Sequence, residues 1–225
     1  MAVYLIIFGA IALASWIVSK SLESKFEKYS QVSLPLTGKQ VAERMLLDYG
    51  ITDVTVKCVK GHLTDHYNPQ DKTLNLSESV YSAANVAAAA VAAHETGHAL
   101  QHAVGYAPLR LRSALVPVVS VSSKWMSIIL LVGMLLLQYT PLPLEIGVVL
   151  FGLTTLFSFV TLPVEVNASQ RAVKWLEESG LTYGETTRMA SSALHSAAYT
   201  YVVAALSSLA TLLYYVFLLV GGRRS

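Results

Sequence analysis

Four stretches of this sequence, residues 3–19, 114–137, 144–163 and 199–220, are almost free of charge and close to the roughly 20 residues that a helix needs to cross a bilayer. Lipid offers backbone amides no partners, so such runs satisfy their own N–H and C=O groups as helices. The first run has no Lys or Arg ahead of it, and Trp16 and Lys20 follow where a cleavage site would need small residues. It therefore reads as an uncleaved anchor rather than a signal peptide. In the second run only Lys124 interrupts, and its side chain can snorkel or turn to the protein interior. Composition agrees: 54% of residues are hydrophobic and 13% charged, and the mean hydropathy is +0.52. These values describe an integral membrane protein. The net charge of +2 comes from scattered Lys and Arg, which excludes a nucleic-acid footprint. The single cysteine, Cys58, excludes an internal disulfide or a Cys-based zinc finger. It stands in the alternating stretch Val54 to Val59 and reads as a strand residue.

Only residues 20–113 are polar enough for a water-exposed domain. Residues 37–49 read as an amphipathic helix, opened by Thr37 or Gly38 and ended by Gly50. Residues 51–59 and 72–77 read as two paired strands, a short β-hairpin with a loop over 61–68 between them. Ser77 or Ser79 is expected to cap the helix that follows. His62, Asp65 and His66 in the loop have metal-ligating side chains, but loop histidines are commonly just solvated. Lys20, Lys25, Lys28, Arg110, Arg112, Arg171, Lys174 and Arg188 fall on one side of an alternating four-span topology, and only Arg223 and Arg224 oppose them. By the positive-inside tendency that side is the cytosol. The expected organisation is an anchor (1–19), a cytosolic catalytic region (20–113), a transmembrane hairpin (114–164), a cytosolic helical segment (165–198) and a last transmembrane helix (199–225). The expected fold is thus a mainly α-helical membrane protein with about four spans and a small cytosolic α+β domain.

The chemistry concentrates in residues 86–104, VAAAAVAAHETGHALQHAV. The alanine run strongly favours helix. On a helix His94 and His98, four residues apart, direct two imidazoles at one point, where a metal ion can bind both. Glu95 can reach a water on that metal without ligating it, which is the place of a general base. Two histidines at this spacing are often an ordinary solvated face. A Glu between two His in a nearly uncharged helix, however, is costly to bury without a metal.

A catalytic zinc usually has three protein ligands and an open position. Glu165 is the choice for the third, because it leaves the 144–163 span on the same predicted side as the motif, with Pro163 set to begin a new helix at about its first turn. His102 is the competitor. It continues the face of His94 and His98 but lies another helical turn, about 5.4 Å, along the axis.

The anchor together with GHLTDHYNPQDKTLNLSESVY, AAHETGHALQH and LPVEVNASQRA resembles the YugP-type membrane zinc metallopeptidases, over nearly the whole chain. The plan is also similar to the HtpX and CAAX prenyl protease type of membrane gluzincins, whose zinc lies at the cytosolic face. The resemblance implies one zinc per chain, held by His94, His98 and Glu165, with Glu95 as base, and a zincin-like metalloprotease domain. Wider gluzincins often carry an Asp four residues after the ligand Glu to orient a zinc-bound His. Here Ser169 takes that place and Asn167 lies two after the Glu, so either uncharged side chain is expected to accept an imidazole N–H. An oxyanion donor is sought among His195, Tyr199 and Tyr201, although aromatic residues at a span's start commonly serve as interface anchors. The strand Thr73, Leu74, Asn75, Leu76 and Ser77, just before the motif helix, is expected to present a substrate backbone by edge pairing.

The expected partners are membrane lipid and a membrane-associated peptide or protein substrate, with a regulatory membrane partner or a second copy of the chain as further candidates. Two other readings compete: a protease cutting within the bilayer, and a non-catalytic membrane scaffold with a structural zinc. The first sits poorly with the short apolar run before His94, and the second with a Glu at position 95.

Overall fold

In the computed structural model, residues 2–61 and 63–222 are described. The elements in chain order are α1 (Ala2–Ser30), α2 (Gly38–Asp48), β1 (Thr55–Val59), β2 (His66–Asn68), β3 (Thr73–Ser77), α3 (Glu78–Tyr81), α4 (Val86–Ala103), α5 (Ala107–Leu136), α6 (Leu142–Glu178) and α7 (Glu185–Gly222). Contacts divide the chain into two compact units. One holds the chain up to Trp16, Arg110–Pro163 and the part from Thr200 onward; the other holds Ile17–Leu109 and Val164–Tyr199.

In the first unit, the expected apolar runs are parts of the four helices long and apolar enough to cross a membrane, α1, α5, α6 and α7. Close helix approach is built from small residues, as membrane helices require. A Cβ on Gly133 would meet the Leu144 backbone at 2.6 Å. Thr155 and Ser208 exchange a hydroxyl hydrogen bond at 2.7 Å. Three of the helices run further than hydropathy alone foretells. α1 continues past Ser19 to Ser30. α6 does not restart at Pro163: it passes through it as one helix. Proline removes one intrahelical bond, to the carbonyl of Phe159, and one lost bond does not end a helix whose other turns are intact. The segment carrying Glu165 is therefore the continuation of the third apolar run rather than a new helix. Likewise the amphipathic stretch after Tyr183 and the last apolar run are one helix, α7.

The second unit is the α+β part. Thr37 and Gln40 form a reciprocal capping box at the start of α2. Past the end of α2, Gly50 adopts φ +67°, the left-handed turn that closes many helices. The sheet departs from the expected hairpin. β1 and β3 do pair, from Thr55 with Thr73 to Val59 with Ser77, but they run parallel. The chain between them turns back through β2, which pairs antiparallel with β3, so that the order is β1-β3-β2. β3 is the central strand, with all five residues buried. Ser77 does stand at the N-cap of the helix that follows it, the short α3, without a side-chain capping bond; the motif helix α4 has its own cap, Asn85, which accepts the Ala88 N–H at 2.9 Å. The core gathers Met45, Leu74, Leu76, Val80, Val86 and the alanines of α4 against Trp175 and Leu176 of α6. The alanine run thus serves as core surface as well as helix former. Cys58 lies on β1, as expected, but is exposed like its neighbour Lys57, so the alternation set by Val54 and Val56 breaks there.

Candidate metal centre

The site begins with Gly97, the residue between the two histidines that has no side chain. A Cβ there would lie 2.8 Å from the Ala168 carbonyl oxygen, so at this point α4 and α6 touch backbone to backbone. That approach brings Glu165 to the motif although 71 residues separate it from His94 in the chain.

The Nε2 of His94 lies 3.2 Å and the Nε2 of His98 3.5 Å from the same oxygen, Glu165 Oε2. The ligand atoms of the three residues all fall within 4.8 Å of one another. Tetrahedral zinc with bonds of about 2.05 Å places its ligand atoms about 3.3 Å apart. The donor set and its spacing fit a zinc ion. It is the only such grouping of three or more His, Cys, Asp or Glu among the described residues. Glu165 is 3% exposed and His98 9%, whereas His94 and Glu95 are half-buried, which leaves the open side of the cluster toward them.

Each imidazole is held from behind. Ser169 Oγ lies 3.1 Å from His94 Nδ1, at the position where wider gluzincins carry an Asp. His98 Nδ1 lies 3.0 Å from Gln101 Oε1. Gln101 Nε2 in turn donates to the Val164 carbonyl at 2.8 Å and to Asn167 Oδ1 at 3.0 Å. Asn167 is thus joined to His98 through Gln101, a residue that sequence reasoning passed over. Its signal was available: it stands three residues after His98, on the same helix face.

The electrostatics suit a cation. Burial by itself would lower the pKa of His98. The hydrogen bond to Glu165 and the negative charges of Glu95 and Glu165 outweigh burial and raise it above its ordinary value.

Other candidate residues lie elsewhere. His102 is exposed and engaged with Tyr67 of β2, hydroxyl to Nδ1 at 3.2 Å. Asp65 accepts from the Ser77 N–H at 2.8 Å and also binds its hydroxyl. His66 is bonded to the Thr64 carbonyl and to Asn75, so Asp65 and His66 build the sheet, and His62 lies outside the described residues. His195 and Ser169 line one cavity of about 330 Å³, with Val166, Val173 and Leu194 as its apolar wall. Tyr199 is exposed on α7, and Tyr201 falls in the other unit. The strand Thr73–Ser77 is not an edge. β1 occupies one side of it and β2 and Asp65 the other, so it has no free side to offer a substrate.

Residues 4–220 match the model of a protein family described as "Putative neutral zinc metallopeptidase". The chain belongs to this family. It is also 42% identical over 217 residues to the "Putative membrane protease YugP" of Bacillus subtilis (strain 168), covering 96% of this chain and 95% of that protein. No solved structure matches it. The family's description agrees with a cluster of His94, His98 and Glu165 that could hold a metal ion.

Proposed function

We propose that this protein is a membrane-embedded zinc endopeptidase, one zinc per chain, whose site faces the cytosol and acts on membrane-associated peptides or proteins. The observation that carries this reading is the convergence of His94 Nε2 and His98 Nε2 on Glu165 Oε2, at 3.2 and 3.5 Å, with Glu95 next to His94 on the half-buried side. The cytosolic orientation rests on the Lys and Arg residues around the α+β unit.

Zinc bound there would lower the pKa of a water molecule and polarise the scissile carbonyl. Glu95, beside that position, would be the base that takes a proton from the attacking water and the acid that returns it to the leaving amine. Among the oxyanion candidates we retain His195, which shares a cavity with Ser169. Its Nδ1–H donates to the Ser191 carbonyl at 2.7 Å, so its Nε2 becomes a donor only when the ring is protonated. With β3 covered, the strand that offers a substrate its free side is β2, an edge strand whose Tyr67 reaches α4 at His102.

The test is Glu95→Gln in the full-length protein in detergent. The variant keeps its zinc and loses peptide or casein cleavage by about 100-fold or more. Cleavage at the wild-type rate would overturn the mechanism and favour a scaffold with a structural metal.

A further inference from the structure

We propose that Gln101 is a positioning residue of the metal centre, the last link of a directional hydrogen-bond chain from Arg171 that fixes which nitrogen of His98 faces the metal. This rests on the reading of His94, His98 and Glu165 as ligands.

The argument is one of donors and acceptors. An arginine guanidinium can only donate. Arg171 Nε lies 2.8 Å from Asn167, so the Asn167 atom facing it is the amide oxygen. That oxygen also faces Gln101 at 3.0 Å, and the Val164 carbonyl faces the same end of Gln101 at 2.8 Å. Two oxygens there require the Gln101 NH₂. Its other end, Oε1, is therefore the atom turned toward His98 Nδ1 at 3.0 Å, and it can only accept. His98 must then carry a proton on Nδ1, which leaves the Nε2 lone pair for a metal.

Gln101 has a second effect. Val164 precedes Glu165, so one side chain holds a ligand imidazole on α4 and the backbone next to a ligand carboxylate on α6. Gln101 is fully buried, where water cannot substitute for it. Ser169 provides the corresponding contact to His94, but it is a hydroxyl that can donate or accept and so imposes no direction.

The test measures zinc affinity of the full-length protein by competition with a chromophoric chelator, and the visible absorption of the cobalt-substituted protein. Gln101→Met keeps the volume and removes the hydrogen bonds. Zinc affinity is expected to fall by about 10- to 100-fold, with a changed cobalt spectrum. Asn167→Leu is expected to weaken zinc in the same direction. Asn167→Asp still accepts from both Gln101 and Arg171 and is expected to bind zinc as the wild type does. A merely structural role would lower the thermal stability of the metal-free protein and leave affinity and spectrum alone. The proposal is overturned if Gln101→Met binds zinc like the wild type with an unchanged cobalt spectrum, or if Asn167→Asp is as weak as Asn167→Leu. Glu165→Ala in the same assay separates the two readings. Unaltered affinity there overturns the metal site and this assignment with it; lost affinity there beside wild-type affinity in Gln101→Met overturns this assignment alone.

Discussion

Gly97 and Ala168 meet so closely that no side chain fits between them: a Cβ on Gly97 would stand 2.8 Å from the Ala168 carbonyl oxygen and 3.2 Å from its Cα. This contact sets the distance between the helix carrying the two histidines and the helix carrying Glu165. Because the neighbour is backbone, the misfit cannot be relieved by a rotamer change.

Gly97→Ala improves helix propensity by about 1 kcal/mol, yet overpacking of this kind costs about 1–3 kcal/mol. Net stability is therefore expected to be equal or lower, and zinc affinity to fall as Glu165 is pushed away from the histidines. Gly97→Val is expected to be clearly destabilised, by about 3 kcal/mol or more. Thermal unfolding and zinc titration of the two variants check this. Undiminished zinc affinity in Gly97→Val would show that the helix approach does not govern the site.

Glu165 is expected to be indispensable for zinc. With three protein ligands reduced to two, Glu165→Ala should lose zinc on gel filtration in detergent, whereas Glu95→Gln should elute with about one per chain. Elemental analysis of the eluted protein decides it. A zinc-loaded Glu165→Ala would point to a different third ligand, and His102 would be the residue to substitute next.

How much of this was legible beforehand depends on the range of the interaction. His94 and His98 are set by a four-residue helical period and were readable from spacing, whereas the start of α2 was read only as Thr37 or Gly38, without the part Gln40 plays in the cap. Glu165 was reachable through the expected topology, in which the apolar run ahead of it brings the chain back to the motif's side. The parallel pairing of β1 with β3 was not readable. β2 is three polar or aromatic residues, His66–Asn68, too short to show alternation, and without it the two longer runs look like neighbours in a hairpin. The place of Thr73–Ser77 in the sheet's centre followed from the same gap. Pro163 misled for the opposite reason: a strong local signal for a boundary was overridden by the helical turns on both sides. Gln101 gave a local signal, but its meaning depends on Val164 and Asn167, more than 60 residues away.

Asp65 is expected to matter for stability rather than chemistry. Its carboxylate holds the N–H and hydroxyl of Ser77 at the end of the central strand, just before the chain turns toward the motif helix. Ser77 is fully buried, so Asp65→Ala takes the acceptor from its N–H, at a cost of about 1–3 kcal/mol, while Ser79 Oγ at 3.2 Å still faces its hydroxyl. Thermal unfolding should register that loss while zinc stoichiometry stays at the wild-type value. Loss of zinc at full thermal stability would instead make Asp65 a member of the metal site.

The stabilisation conferred by zinc is expected to grow as pH rises from about 6 to about 8. In the metal-free protein His98 is raised above its ordinary 6.5, chiefly because its hydrogen bond to Glu165 and the nearby carboxylate charges outweigh burial. A raised histidine contributes stability that is fully present below the unfolded value and is lost as pH rises through the folded one. The metal-free protein therefore loses the help of a charged His98 on the alkaline side. Zinc acts in the reverse sense, because it requires His98 unprotonated at Nε2 and so competes with the proton there. These are one effect seen from its two sides, since the proton that stabilises the metal-free protein is the one zinc must displace, and the gap between zinc-loaded and chelator-treated protein widens with increasing pH. Paired thermal unfolding curves across that range check it, and a gap that narrows toward pH 8 would mean that this imidazole is not what the metal displaces a proton from.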